Sequence, residues 1–189
     1  MWNERYSRPD YVFGTEPNAF LASFGDLFTP GQTALSVADG EGRNSVWLAS
    51  RGLQVTAFDA SEVGLAKAKA LAALKGVSVD YWLAAIEDWE WSPDRFDVVV
   101  AIFIQFAAPD LRRRIFDGMK RTVKPGGSIL MQGYRPEQLA FGTGGPREPD
   151  QLYTRALLET AFADFEIIRL VEHDSALQEG PGRRHLGAY

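Results

Sequence analysis

The chain has 189 residues, 46% hydrophobic and 24% charged, with a formal net charge of −5 and no cysteine. That length suits one domain spanning residues 1–189, and the negative charge argues against nucleic acid as a partner, which favours a basic face. Without cysteine there is no disulfide, no thiolate metal site and no cysteine nucleophile, and no metal is expected.

The first residues, with Trp2, Arg5, Tyr6, Tyr11 and Phe13, are aromatic and polar and lack the apolar core of a signal peptide. The longest apolar run, residues 98–104, is far short of a membrane span. The default location is therefore the cytoplasm, with no membrane contact. Residues 1–30 read as a leading segment plus a helix through Phe20, Leu21, Phe24 and Leu27, ended by Thr29-Pro30-Gly31. The leading aromatics either cover one side of the core or form a lid over a ligand.

Next come strands and helices in alternation. A strand is expected over residues 34–38, a helix over 44–50 and a strand over 54–58. A helix capped by Ser61 and ended by Gly76 follows, then a strand over 77–83. Residues 84–93 read as a loop or short helix. Residues 96–104 are nearly all apolar, the mark of a parallel strand buried on both faces. Pro109 opens a helix whose buried stripe is Leu111, Ile115, Met119 and Val123. Its run Arg112-Arg113-Arg114 reads as a solvated face rather than a nucleic-acid patch. Lys124-Pro125-Gly126-Gly127 turns into a strand over 128–133. Residues 134–150 form a long loop rich in glycine and proline, and such loops are usually functional or disordered. A helix capped by Thr154 runs to Phe162, a sixth strand is expected over 165–171, and the tail carries His173 and His185. This alternation predicts a Rossmann-like, doubly wound α/β sheet.

The organising stretch is residues 33–61, a strand, a glycine turn, a helix and a second strand ending in an acid. Gly40 and Gly42 let the backbone come close to a ligand. The following helix points its unpaired N–H groups and positive dipole end at the same place. Asp59 lies 19 positions after Gly40, close to the spacing of about 20 at which an acid meets ribose hydroxyls. A nucleoside ligand is expected. A dehydrogenase would read Gly40-Glu41-Gly42-Arg43-Asn44-Ser45 as its fingerprint, but the third glycine is a serine, Glu41 would stand near a pyrophosphate, and no second domain is left to orient a substrate.

Three blocks carry a further likeness. They are Asp39-Gly40-Glu41-Gly42-Arg43-Asn44-Ser45 with Gly52 and Asp59 behind it, Phe96-Asp97-Val98-Val99-Val100, and Lys124-Pro125-Gly126-Gly127. In this order and spacing they resemble the class I S-adenosylmethionine-dependent methyltransferases, in particular the small enzymes related to bacterial tellurite-resistance and thiopurine methyltransferases. The resemblance covers nearly the whole chain. It implies a mostly parallel sheet with a short or missing last antiparallel strand, an exposed edge that invites dimerisation, so that either a monomer or a homodimer is expected. It also implies S-adenosylmethionine as cofactor, S-adenosylhomocysteine as product and a small-molecule methyl acceptor. On this reading Ala38, Asp39 and Gly40 pass under the cofactor, while Arg43 and Asn44 open the helix near its carboxylate. Asp59 accepts both ribose hydroxyls, beside Ala60 and Ser61. Ala85 and Ile86 lie at the adenine edge, Ala101, Ile102 and Phe103 flank the methionine sulfur, and Arg5 reaches in from the lid.

The chain departs from the family at three positions. An acid is usual where it has Ser36, a glycine where it has Ala38, and an acid at the adenine amino group where it has Ala85. Ser36 can still hydrogen-bond, and Ala38 is tolerable there if its φ is negative. These departures motivate the other reading, a non-catalytic S-adenosylmethionine-binding or interaction protein. For the chemistry, in-line methyl transfer leans on positioning, and a soft nucleophile needs no protein base. The candidate catalytic side chains are Tyr134, Gln138 and Gln105, with residues 134–150 as an acceptor-side loop. Arg135, Arg5 and Tyr11 lie near the same expected pocket. The structural reading of Tyr134 and Gln138 is a fixed turn capping the sheet.

Overall fold

A computed structural model describes residues 2–189, with the backbone alone at residues 183 and 184. The chain opens with two short helices, α1 (Trp2–Tyr6) and α2 (Ala19–Ala22), the second capped by Asn18, whose side chain accepts from the Leu21 N–H. The helix expected across Phe20 to Leu27 is thus one turn, followed by a 3-10 turn at Gly25–Leu27.

The nucleoside-type unit follows as β1 (Thr33–Val37), α3 (Arg43–Ser50), β2 (Gln54–Asp59) and α4 (Glu62–Lys75). Ser61 caps α4 by accepting the Gly64 N–H, and Gly76 ends it in the left-handed region at φ 67°. β3 (Asp80–Leu83) is shorter than expected, because residues 77–79 lie outside the ladder. β4 (Phe96–Ile102) then leads to α5 (Pro109–Thr122), which has proline in its first turn.

β5 spans Val123–Gln132, but its register against β4 jumps from Phe96↔Val123 to Val98↔Ser128. The expected Pro-Gly-Gly turn is therefore a bulge at the start of that strand. Two short helices follow, α6 (Gln138–Phe141) and α7 (Arg155–Ala161), with Thr154 capping the second. The chain closes with β6 (Asp174–Glu179) and β7 (Arg183–Ala188).

The main sheet has five parallel strands in the order β3-β2-β1-β4-β5. Successive side chains of a strand point to opposite faces, and the core divides accordingly. Leu35, Val37, Phe58, Val99 and Ala101 pack with Ile115, Phe116 and Met119 of α5 on one face. Ala34, Val55, Val98 and Val100 pack with Leu21, Phe28 and Leu48 on the other. Helices on both faces bury β4 from both sides, the reason it reads as unbroken hydrophobic sequence.

The expectation of a sixth strand at residues 165–171 is corrected. No strand is assigned there, and Ile167, Ile168 and Val171 are exposed. β6 begins only at Asp174 and pairs antiparallel with β7 around a turn at Gly180. The apolar pattern of 165–171 mimics a strand, yet extended residues become a strand only where a neighbour takes up their N–H and C=O groups. The last antiparallel pair is present but forms its own two-stranded sheet, so β5 ends the main one.

Candidate functional site

A cavity of about 420 Å³ opens at the carboxyl ends of β1, β2 and β4. β1 and β4 are the neighbours at which strand order reverses, and open α/β sheets bind ligands at such a point. The volume falls within the range of small-molecule pockets, about 300–1,000 Å³. Its floor is the turn after β1, and its sides come from the loops after β2, β3 and β4. Trp2, Tyr6, Phe13 and Gly14 of the N-terminal segment roof it.

The turn is built by close approach. A Cβ at Gly40, φ 64°, would lie 2.8 Å from the Tyr6 hydroxyl, and one at Gly42, φ 91°, would lie 2.7 Å from Ala68 of α4. Ala38 has φ 47°, so the condition of a negative φ is not met. The left-handed region costs a non-glycine residue about 1–2 kcal/mol, and Phe103, after β4, sits there too at φ 55°. Both strained residues line the cavity, where such strain tends to collect.

Three carboxylates crowd the floor. Asp59 accepts the Gly40 N–H on one oxygen and the Ser61 N–H on the other, both at 2.8 Å, which leaves each oxygen a second lone pair. Burial raises its pKa, and the two N–H groups pull it back down. Asp39 accepts from Ser36 Oγ at 2.7 Å and from Ser45 Oγ at 2.5 Å. Burial pushes its carboxyl up to about 6, against the pull of those two hydroxyls. Glu41 accepts the Val12 N–H at 2.7 Å and meets Lys67 Nζ at 2.5 Å.

Lys67 also donates to the carbonyls of Tyr6, Arg8 and Asp10, so a single ammonium ties the N-terminal segment over the turn. On the other side Arg43 Nη2 meets Glu179 of β6 at 2.9 Å, with both side chains buried. Asn18 donates to Glu179 and to Gln132 of β5, each at 2.7 Å, and its own N–H goes to Asn44 Oδ1.

Of the expected cofactor residues, Ala38, Asp39, Gly40, Arg43, Asn44, Asp59, Ala60, Ala85, Ile86, Ile102 and Phe103 line this cavity. Ala101 does not, since it is fully buried in the core. Ser61 is occupied as the cap of α4 and donates to Asn3 Oδ1. Arg5 lies outside the lining, its guanidinium 5.2 Å from the rings of both Trp2 and Phe13.

The three expected catalytic side chains are not in the lining either. Gln105 brackets Tyr134, accepting its N–H and donating to its carbonyl, and also donates to the Gln151 carbonyl. Gln138 donates to Thr143 Oγ1 and the Gly144 carbonyl and accepts the Ala188 N–H. Tyr134 is buried with its ring centroid 4.7 Å from that of Phe103, one ring removed from the cavity. The geometry is that of a turn pinned to β7, and no residue of 134–150 reaches the lining.

The lining residues that sequence reasoning did not single out include Glu41, Phe58, Ala84, Glu87, Ile104 and Phe106. The aromatic bias of the first 14 residues pointed to a lid, but which rings face inward depends on how Lys67 anchors them. Among the described residues no group of three or more histidine, aspartate or glutamate side chains is placed to hold a metal, and no helix is long and apolar enough to cross a membrane.

Comparison with known proteins agrees with this architecture. A family model described as a methyltransferase domain matches residues 34–127, about half the chain and all of the turn and its first four strands. A ubiquinone biosynthesis O-methyltransferase of Pseudomonas aeruginosa is 34% identical over 128 residues, 66% of this chain and 55% of that protein. The chain spans about half the length of the relatives it matches in sequence. Among solved structures, a protein studied for the conversion of a disulfide bond into a thioacetal group during echinomycin biosynthesis superposes with a TM-score of 0.75 over 96% of this chain and 82% of that one, at 19% identity. A SAM-dependent methyltransferase from Methanosarcina mazei superposes with a TM-score of 0.68 over 92% and 95%, at 18% identity. At such identities the likeness speaks for the fold, and the matched domain speaks for the family. A five-stranded parallel sheet, a glycine turn sealed by Asp59 and a matching methyltransferase domain together show that the chain belongs to the class I S-adenosylmethionine-dependent methyltransferases.

Proposed function

We propose that the chain binds S-adenosylmethionine in the cavity above the Gly40 turn and methylates a small molecule. The observation that carries this reading is the Asp59–Gly40 contact. The acid at the end of β2 is held by two backbone N–H groups, with a lone pair on each oxygen free to accept a ribose hydroxyl. Gly40 leaves room above the turn that a Cβ would fill. The N-terminus of α3 is a natural seat for the methionine carboxylate, and the apolar Ala85 and Ile86 suit an adenine face.

The bound sulfonium would supply an already activated methyl group. What the chain adds is position and exclusion of water. Ile102 at the end of β4 and Phe103, Ile104 and Phe106 after it, with Trp2 and Phe13 above, make the mouth apolar and aromatic. Among the described residues no histidine stands in the lining, and Asp39, Asp59 and Glu41 are all engaged in hydrogen bonds. Positioning rather than a protein base is therefore the expected source of rate, with Tyr134, Gln138 and Gln105 supporting the site from behind Phe103.

Calorimetric titration with S-adenosylmethionine, S-adenosylhomocysteine and NAD tests the reading. Binding of the first two but not the third is expected, with a loss of at least tenfold in Asp59→Ala, the equivalent of one charge-assisted hydrogen bond. Absence of binding to both would remove the proposal.

A further inference from the structure

Asp39 sits where four constraints meet. Its N–H donates to the Phe58 carbonyl at 3.0 Å, extending the β1–β2 pairing by one residue. Its carbonyl accepts the Gly42 N–H at 3.4 Å and closes the turn. Its carboxylate reaches back to Ser36 on β1 and forward to Ser45 on α3, taking Oγ of both and the Ser45 N–H at 3.3 Å. Ser45 Oγ in turn touches the Gly42 carbonyl and the Tyr81 hydroxyl, each at 3.2 Å.

The Asp39 side chain is turned under the turn toward Ser36 and Ser45, and Ala38 just before it adopts φ 47°. Two unusual features, a buried carboxylate and a strained alanine, thus belong to one arrangement. The adjacent residue, Gly40, is the one whose N–H holds Asp59.

We propose that Asp39 is a positioning residue for the ligand site, its carboxylate clamping the end of β1 to the start of α3 so that the Gly40 N–H stays aimed at Asp59. The clamp depends on where the charge lies in space. Ser36 Oγ and Asp39 Oδ1 face each other at 2.7 Å, so the acid and the hydroxyl can trade places across that contact. A carboxylate at position 36 with a serine at 39 restores a negative charge in the same buried spot. The titratable groups facing it are Asp59 from β2, Tyr81 from β3 and Tyr6 from α1, while Arg43 on its own helix is turned to Glu179. Burial holds the Asp39 carboxyl at about 6, so the clamp is charged at neutral pH and loses its charge in mild acid. The affinity part of the test rests on the cavity being the S-adenosylmethionine site, whereas the clamp itself does not.

The experiment compares wild type, Asp39→Ser, Asp39→Asn and the double variant Ser36→Asp/Asp39→Ser. Two quantities are read, the calorimetric affinity for S-adenosylmethionine and the hydrogen-exchange rate of the Gly40 and Ser45 amides. Both single variants are expected to bind about tenfold more weakly or worse, the loss of one charge-assisted bond, and to exchange faster at Gly40. The double variant returns both readouts to within about threefold of wild type. Wild-type affinity falls as pH drops through about 6, and that of Asp39→Asn stays level. Single variants indistinguishable from wild type, or a double variant that is unfolded or no better than Asp39→Ser, overturn the clamp. Should wild type bind neither S-adenosylmethionine nor its product, the cofactor reading falls. The exchange rates then decide Asp39 alone: faster exchange that the double variant restores supports the clamp, and unchanged rates sink it.

Discussion

The buried Asp39 carboxyl makes stability depend on pH. Its carboxyl titrates at about 6 in the fold against 3.8 when exposed, with burial as the main cause. Between those values the folded chain keeps a proton that the unfolded chain has released. Stability contributed by this group is therefore present at low pH and lost as pH rises toward 6, by about 3 kcal/mol for a shift of roughly two units. Urea unfolding at pH 5 and pH 7.5 should show a larger drop for wild type than for Asp39→Asn, opposite in direction to the gain in affinity over the same range. An equal drop in both proteins would place the titration elsewhere. At Ala38, replacement by glycine relieves about 1–2 kcal/mol of left-handed strain and gives back part of it as unfolded-state entropy. The net expected from denaturant midpoints is neutral to about 1 kcal/mol more stable; a clear destabilisation would mean that the methyl contributes to packing against the core.

At the scale of elements, α4 is the piece against which the ligand turn is pressed. Gly42→Ala would put a methyl 2.7 Å from Ala68 on a residue at φ 91°. Its cost should exceed about 2 kcal/mol, combining a clash with the left-handed penalty. Gly76→Ala, at φ 67° with open space around it, should cost only about 1 kcal/mol. Unfolding curves for the two variants separate packing from backbone conformation. The same helix holds the roof through Lys67, whose ammonium meets Glu41 and three carbonyls of residues 6–10. Lys67→Met is expected to free that segment while the sheet stays folded. Limited proteolysis should then cut near Arg8 at least tenfold faster, which corresponds to about 1.4 kcal/mol of lost local protection. Unaltered cutting would show that the Trp2 and Tyr6 rings hold the segment by packing alone.

For the whole molecule, the β6–β7 hairpin is joined to the ligand turn by polar contacts. The Arg43–Glu179 pair and the two bonds of Asn18 run from α3 through the N-terminal segment to β5 and β6. The hairpin turn at Gly180 lies against the Phe13–Gly14 backbone so closely that no Cβ fits there. Glu179→Ala should cost about 3 kcal/mol in global stability, the usual penalty for breaking a buried pair, and should weaken S-adenosylmethionine binding as well. A thermal shift without any change in affinity would confine the network to stability.

How much of this was legible in the chain follows from the range of the interactions involved. The caps Ser61, Thr154 and Gly76 and the β1–turn–α3–β2 unit ending in Asp59 rest on contacts within a few residues or within one βαβ unit, and such patterns are written locally in sequence. The sixth strand misled for the complementary reason: residues 165–171 carry a strand's apolar pattern, and whether a neighbour exists to pair with them is not written in that segment. Tyr134, Gln138 and Gln105 looked catalytic because they follow strand ends. The side chains of Gln105 and Gln138 instead bond backbone groups of Gln151, Gly144 and Ala188, and the Tyr134 ring packs on Phe103, partners visible only once the chain has folded back.

By itself, then, the sequence determined the family and the alternation of strands and helices through β5, since these depend on residue order and spacing. Tertiary structure alone decided that Asp39 turns inward beneath a strained Ala38, that Lys67 draws the N-terminal rings over the cavity, and that Glu179 secures Arg43 from 136 residues away. Each of these is a buried charge meeting its partner across the fold, and local sequence does not encode the partner of a buried charge.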